Sequence, residues 1–540
     1  MAKLATRAVK PPKAPKATIT SRKGKKPDTL TYNMGAGYSR EAKSELFLLA
    51  VTNMVSEDTF YERGKNRDKR FVALIRQVAL EDPDWLARFV PYLRDTMNMR
   101  SASIVMAAET VRAKLTTPVP ASLIHNRTII DSAIKRADEP AEMLGYWMSE
   151  YGKHLPQPVK RGLADAVQRV YNEWSLIKYD GGDKAIRFAD VIDLVHPDAG
   201  PVWQDLLFKY ALDSRHKREM PMPWVREGEW YKGPAPTPSL DIINGNRAAM
   251  MMDQADFKAM FTPAFVDKNG LTWEQASSKY GKLDARFWEA MIPNMGIFAI
   301  VRNLRNFEEA KISKDAQNLV RSKLSDPETI RKSRMFPLRF FTAFVALNSL
   351  TYGRELEEAI DLATSNVPSL PGKTLIMVDL SGSMDYPMSD KSDVKRIAPA
   401  SIFAAALAIR AEHPTLVGFS EATSEIKVNK TNSVLLLTKD IVTAVPHMGT
   451  QTWQAVQKHF AGHDRVIILT DEQADSYYGA SDPAKVVPGT TPLYTFNVAG
   501  YRAGHAPSGK KNRYTFGGLS DAAFTAIELL EKGQDEAWPF

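Results

Sequence analysis

The second half of the chain alternates short apolar segments with amphipathic helical patterns, and this alternation restricts the fold more than any other feature. From Thr374 onward the apolar segments are TLIMVDL, TLVGFS, DRVIILTDE and PLYTFNVAG. Helical patterns run from about Ala398 to Arg410, begin again near Thr452, and begin a last time near Ser520. Strands that alternate with helices pair in parallel, so we predict a doubly wound α/β sheet with helices on both faces.

The first half has helical periodicity instead, from about Tyr38 to Ala363. Capping residues mark helix starts, for example Asp82 before Pro83. Helix pairs repeat irregularly at roughly 40 to 55 residues, which is typical of an α-solenoid. The segment from Met220 to Pro238 is predicted to be a long connection. We place the helical domain at residues 30–365 and the α/β domain at residues 366–540.

Residues 1–29 are predicted to be a disordered basic arm. Nine of the 71 Lys and Arg residues and one of the 63 acidic residues lie in residues 1–28, which leaves 62 of each sign elsewhere. The whole net charge of +8 therefore comes from the arm. With almost no large apolar side chain, the arm has nothing to bury against the entropy of ordering. It either binds a polyanion through counterion release or serves as a solubilising extension.

Composition excludes several classes of protein. The chain has no cysteine, which rules out disulfides, thiolate zinc sites and cysteine nucleophiles, and favours a cytoplasmic location. No apolar run approaches the roughly 18 residues that cross a bilayer, so we expect no membrane association. PGKT at 371–374 leads into a strand and lacks the first glycine of a phosphate-binding loop. We predict no enzymatic activity.

Oxygen-bearing side chains end two predicted strands and one turn of the second half. Asp379, Ser381 and Ser383 form D-x-S-x-S after the first strand, Thr450 precedes a helix, and Asp471 ends a later strand. Two carboxylates and three hydroxyls suit a divalent cation that prefers oxygen ligands. We predict a metal site at these five residues, with Mg²⁺ as the cofactor and Mn²⁺ as the alternative.

This arrangement resembles the metal-ion-dependent adhesion site of von Willebrand factor A domains, in which D-x-S-x-S is followed by Thr and then Asp. The resemblance implies that residues 366–540 have that fold. It also implies that an acidic group of a ligand completes the shell of the metal, in recognition and not in catalysis.

The helical half resembles the TROVE module of the Ro autoantigen family, and the order of the two halves is that of a bacterial-type Ro protein. The segments that carry the resemblance are SELFLLAVTNMVSEDTFYE, DPDWLARFVPYLRDTMNMRSAS, LTWEQ, FWEAMIPNMGIFAIVRNLRNF and FPLRFFTAFVAL. It implies a ring of HEAT-like repeats in a monomer that binds Y-like noncoding RNAs outside the ring and single-stranded ends of misfolded RNAs in its hole. It further implies RNA quality control or decay together with an exoribonuclease.

Candidate RNA-binding residues lie on two parts of the helical half. Arg302 and Arg305 lie outside the apolar stripe of one helix and offer planar donors to phosphate. Without the family resemblance, a solvated helix face is the favoured interpretation of the two arginines. The resemblance implies Y RNA contact at Lys178, beside Tyr179, and at His196. A basic residue expected after this pair is replaced by DGGD, and Arg187 is its candidate substitute.

A second class of function stays open on sequence grounds. In it, the protein is an interaction adaptor whose metal site binds an acidic partner while the helical half serves only as a scaffold. Copurifying RNA would favour the first class, and a stable protein partner without RNA the second.

Overall fold

The computed structural model describes most of both halves. It covers residues 29–30, 36–37, 42–52, 64–218, 239–335, 337–347, 350–387, 394–471, 485–498 and 512–517, together with residues 527, 531, 538 and 540. The predicted basic arm up to residue 28, the connection from Met220 to Pro238, and most of the helix predicted from Ser520 lie outside these ranges.

The described helices of the first half lie between residues 42 and 364, after a two-stranded antiparallel pair, β1 (Thr29–Leu30) and β2 (Ala36–Gly37). The helices are α1 Ala42–Thr52, α2 Gly64–Glu81, α3 Pro83–Pro91, α4 Arg100–Thr116, α5 Asn126–Ser132, α6 Glu139–Tyr151, α7 Gln157–Val170, α8 Glu173–Tyr179, α9 Phe188–Val195, α10 Val202–Arg215, α11 Asp241–Met251, α12 Gln254–Met260, α13 Pro263–Lys268, α14 Trp273–Tyr280, α15 Ala285–Met291, α16 Ile297–Ala310, α17 Lys314–Leu324, α18 Pro327–Ser333, α19 Pro337–Ala346 and α20 Gly353–Thr364.

Capping residues set the starts of several of these helices. The Asp82 carboxylate accepts a hydrogen bond from the Trp85 backbone N–H, and Pro83 occupies the first helical position, as the sequence predicts. Helices also pack against the next helix but one, as α2 does on α4, α5 on α7 and α7 on α9. This layered packing fits a solenoid of helix pairs, whereas the arrangement as a ring of HEAT-like repeats stays a prediction.

The second half contains one six-stranded sheet in the order β5-β4-β3-β6-β7-β8. Its elements are β3 Leu370–Asp379, α21 Ile397–Arg410, β4 Ala411–Phe419, β5 Thr423–Ile426, α22 Val434–Val442, α23 Thr452–His459, β6 Arg465–Thr470, β7 Leu493–Asn497 and β8 Arg513–Gly517. All neighbouring strands pair in parallel except the edge strand β5, which is antiparallel to β4.

Helices cover both faces of the sheet. Successive residues of a strand point to opposite faces, so Ile376 and Val378 pack in the core that includes α21. Leu375 and Met377 face the other way, in a smaller core with Val456 of α23. The prediction of a helical half followed by a doubly wound α/β half is confirmed.

Helix α1 and the C-terminal residues Trp538 and Phe540 lie where the two halves contact each other. Helix α1 packs against β8. The last residues, Trp538 and Phe540, enter a cluster of rings from α1, α3 and the residue after α3. We call this the C-terminal aromatic cluster, and its members are Phe47, Trp85, Phe89, Tyr92, Trp538 and Phe540. None of the helices in the described ranges is long and apolar enough to cross a membrane.

Candidate metal centre and nucleic-acid interface

The strand order reverses between β3 and β6, and the two aspartates of the predicted metal site lie at this point. Asp379 is the last residue of β3, and Asp471 follows directly after β6. Connections leave β3 toward β4 on one side and eventually toward β6 on the other, which opens a crevice at the carboxyl ends of these strands. Both aspartate residues are 0% exposed.

The Asp379 carboxylate is held by two hydrogen bonds. Its Oδ1 accepts from the Ser381 backbone N–H at 2.9 Å, and its Oδ2 accepts from the Thr470 hydroxyl at 2.6 Å. Burial, and next the negative charge of Asp471, raise the pKa of Asp379 above its ordinary value. Two neighbouring carboxylates without water around them favour a proton or a bound cation.

The hydroxyl candidates come from two turns that are joined to each other. The Oγ atoms of Ser381 and Ser383 lie 3.2 Å apart. The backbone N–H between them, at Gly382, donates to the Met448 carbonyl at 2.9 Å and so ties this turn to the segment that carries Thr450. That segment is also fixed to the end of β4, since the Ser420 hydroxyl donates to the Pro446 carbonyl at 2.7 Å.

All five predicted ligands thus come from segments at one edge of the sheet. In the described ranges no three His, Asp or Glu side chains come together as metal ligands, so a metal here would depend on the hydroxyls as well as on the two aspartates. An all-oxygen donor set around paired buried carboxylates fits Mg²⁺ or Mn²⁺. The geometry of the edge is therefore compatible with the predicted cofactor.

Sequence reasoning missed four charged residues around this edge. Arg396, 3% exposed, places its Nη1 atom 3.6 Å from Asp471 Oδ2. His447 Nδ1 is 2.8 Å from Asp385 Oδ2, and Lys395 Nζ donates to the other oxygen of Asp385 at 3.1 Å. Asp385 and His447 lie close in sequence to the predicted ligands Ser383 and Thr450, but Arg396 follows a segment with no pattern that predicts its position.

His447 fastens the two turns together. Its Nε2 lies 2.9 Å from the Val442 carbonyl, so both ring nitrogens face acceptors. Burial disfavours the charged ring, but the hydrogen bonds to Val442 and Asp385 outweigh burial and raise the pKa of His447. The protonated ring can donate to both acceptors at once.

Helix α16 carries the candidate residues for single-stranded RNA. Its apolar stripe, Ile297, Ile300, Leu304 and Phe307, is buried as the pattern predicts. On the opposite face Arg302 and Arg305 are exposed, and Phe298, which the sequence analysis did not single out, is 54% exposed. The spacings of four and three residues place Phe298, Arg302 and Arg305 in one row, which we call the α16 stripe.

Neighbouring groups hold the α16 stripe in place. The Arg302 guanidinium lies 5.7 Å from the centre of the Trp273 ring, and Arg305 Nε lies 3.8 Å from Glu309 Oε1. The turn before α16 is fixed by Lys323, whose ammonium donates to the carbonyls of Ile292, Pro293 and Met295 at 2.8, 2.7 and 3.0 Å. These contacts orient the helix and leave the row of side chains on the surface.

The three candidates for Y RNA contact lie elsewhere, on α8 and α9, and differ in their surroundings. Lys178 and His196 are exposed, and the Lys178 ammonium lies 5.3 Å from the Tyr179 ring centre. Arg187 is 18% exposed and donates to the buried Asp180 carboxylate at 2.7 Å. Its guanidinium therefore holds the start of α9 against the end of α8, and this contact limits its availability to RNA.

Comparison with known protein families gives a match to part of the chain. The sequence model described as the TROVE domain matches residues 268–398, which include α16 and the D-x-S-x-S motif. The match spans the end of the helical half and the start of the α/β half.

The fold is that of a Ro protein over almost the whole chain. The crystal structure of the Ro (RSR) protein of Deinococcus radiodurans superimposes with a TM-score of 0.66 at 17% identity, covering 92% of this chain and 100% of that chain. The predicted resemblance to a bacterial Ro protein is thereby confirmed at the level of the fold. An aerotolerance-related membrane protein from Bacteroides fragilis gives a TM-score of only 0.19 at 12% identity, over 23% of this chain and 66% of that chain, and carries no argument. No curated protein matches the sequence.

Proposed function

We propose that this protein is a cytoplasmic, non-enzymatic RNA-binding component of a ribonucleoprotein. In this proposal it binds single-stranded ends of misfolded RNAs and small Y-like noncoding RNAs, and it acts in RNA quality control or decay alongside an exoribonuclease. The observation that carries the proposal is the α16 stripe, which presents two arginines and an exposed ring within the TROVE match.

The chemistry of the α16 stripe suits a single strand. Guanidinium groups donate to phosphate oxygens, and an exposed ring offers a flat surface on which an unpaired base can stack. The bases of a duplex are already stacked on each other, so a duplex can use the arginines but not the ring. The stripe is therefore suited to free RNA ends more than to paired RNA.

Y-like RNA would bind separately, at the exposed Lys178 and His196. The Tyr179 ring lies between two cations, with the Arg136 guanidinium 5.2 Å from the ring centre in addition to Lys178. Such a group supplies charge and a stacking surface on the outside of α8. Arg187 would support this surface from below through Asp180.

The test is a pair of double variants that remove equal charge. Arg302→Ala with Arg305→Ala should weaken binding of an RNA with a free single-stranded 3′ end far more than binding of a structured RNA. Loss of two phosphate contacts should also lower the salt slope by roughly 1 to 2 units. The control is Arg331→Ala with Lys332→Ala, two exposed cations that pair with Glu328 on α18.

The control variant should leave both RNAs bound as in the wild type. Equal losses for the two RNA types in the α16 variant would contradict the preference for single strands. Equal losses in the α16 variant and its control would mean that only net charge matters.

A second candidate function rests on the buried pair Asp379 and Asp471. We propose that Mg²⁺, or Mn²⁺ in its place, binds there with Ser381, Ser383 and Thr450, and that an acidic group of a partner protein completes the site. In this alternative the protein is a metal-dependent adaptor. Purification without RNA, but with a protein partner that EDTA releases, would favour it.

A further inference from the structure

A buried arginine lies beside the candidate metal ligands. Arg396 precedes the first residue of α21, and its backbone N–H donates to the Tyr386 carbonyl at 3.0 Å, which fixes it against the turn after the D-x-S-x-S motif. Its side chain is 4% exposed, and its Nη1 atom is 3.6 Å from Asp471 Oδ2. Arginine stays protonated in proteins, so this charge is permanent.

The charged side chains around the two aspartates differ in how deeply they are buried. Lys395 and His447 both contact Asp385 at the rim, where Lys395 is 57% exposed. The Glu421 carboxylate lies close to Gly449. Arg396 lies inside, next to Asp471, while Asp379 contacts the Ser381 N–H and the Thr470 hydroxyl.

We propose that Arg396 is an internal counter-ion of the candidate metal centre: it pairs with Asp471 while the site is metal-free, and it opposes a metal cation that binds. The inference rests on the proposed metal site of the second candidate function. Of the described side chains, Arg396 and the two aspartates, when both are ionised, together carry one net negative charge. When a divalent cation binds, the net charge of these side chains and the metal becomes +1, and this positive charge attracts an anionic group of a partner.

The first test compares two substitutions in the full-length protein, at pH 8 and in EDTA. Asp471→Asn removes the carboxylate that lies beside the buried guanidinium, so this variant should melt below the wild type. Asp379→Asn removes one of two repelling carboxylates and keeps the Arg396–Asp471 pair, so it should melt at or above the wild type. Equal destabilisation by the two variants would overturn the proposal.

The second test measures Mg²⁺ and Mn²⁺ affinity by calorimetry. Arg396→Met removes the charge at similar length and should tighten metal binding by about tenfold or more, because a like charge close to a desolvated site is strongly repulsive. Arg396→Lys keeps the charge and should bind nearly as the wild type does. The control Lys395→Met removes an exposed cation and should change the affinity less than twofold.

The outcomes separate this inference from the proposal it rests on. A folded Arg396→Met variant with unchanged or weaker metal affinity would overturn the counter-ion role. A wild-type protein that binds neither metal would refute the metal site, and the EDTA comparison would still decide whether Arg396 balances Asp471. If Arg396→Met does not fold, the two aspartate variants decide the question alone.

Discussion

Removing Trp538 should loosen the contact between the two ends of the chain. This side chain is 7% exposed and sits edge-on to Trp85, with ring centres 4.9 Å apart, and 5.4 Å from the Phe47 ring centre. Phe540 completes the packing by stacking on Phe89 at 4.9 Å. Trp538→Ala therefore empties the centre of the C-terminal aromatic cluster.

The expected change in the free energy of unfolding combines the packing of the Trp538 ring, which stabilises, with its buried indole N–H, which destabilises. Truncating a buried Trp or Phe to Ala typically destabilises by about 3–5 kcal/mol, including its ring contacts. The indole N–H of Trp538 is buried and has no hydrogen-bond acceptor among the described residues, and such a group costs about 1–3 kcal/mol. The net loss, taken from the middle of the two ranges, should be about 2 kcal/mol, and it should fall on the contact of α1 and α3 with the C-terminal residues.

Hydrogen–deuterium exchange of the full-length protein can locate this loss. If α1 and α3 open locally, their amides should exchange about 30-fold faster in Trp538→Ala than in the wild type, since a loss of 2 kcal/mol raises the opening equilibrium constant about 30-fold. Phe298→Ala is the control, because it removes a ring that is 54% exposed and lies far along the helical half. Unchanged exchange in α1 and α3 would show that the aromatic cluster does not hold the chain ends together.

The remaining predictions concern the sites. Asp379→Ala should abolish Mg²⁺ and Mn²⁺ binding in calorimetry while the helical circular dichroism and RNA binding persist, and retained metal affinity would contradict the assignment. Phe298→Ala should weaken the binding of single-stranded RNA by about 1–3 kcal/mol, the usual contribution of one stacked base, and should leave the melting temperature of the protein unchanged. Deleting residues 1–28 should flatten the salt dependence of RNA binding but keep the preference among RNAs; an unchanged slope would make the arm a mere extension. The raised pKa of His447 gives stability that is complete below pH 6.5 and disappears as the pH rises through the folded pKa, so melting curves of His447→Gln should lack this decline.

The regular elements were predictable because their signals are local. The stripe of α16 and the cap of α3 depend on residues within a few positions of one another, and so does the helix predicted from about Ala398, which begins at Ile397. The two short outer strands β5 and β8 were not predicted. β5 has only four residues with a partly exposed pattern, and β8 depends on pairing with β7.

The common location of the ligand candidates was also predictable, because parallel strands bring their carboxyl ends to one edge whatever the loops do. The charge balance of that edge was not predictable from the sequence. Arg396 reaches Asp471 across 75 positions, and nothing in the residues around either one predicts the approach. The same limit affected Arg187: the sequence offers it as an RNA contact, but Asp180 seven positions earlier takes up its guanidinium.

The contact of the chain ends shows why such pairings escape a sequence argument. Phe47 and Trp538 are 491 positions apart, so their approach depends on every helix and strand between them. An aromatic pair at the end of a chain is, by its local pattern, equally compatible with an exposed tail. What fixes it is the face of α1 and α3 that already carries Phe47, Trp85 and Phe89, a set of large rings that needs another apolar group to cover it. The last residues of the α/β half supply that group, and the helical half therefore depends on them for part of its core.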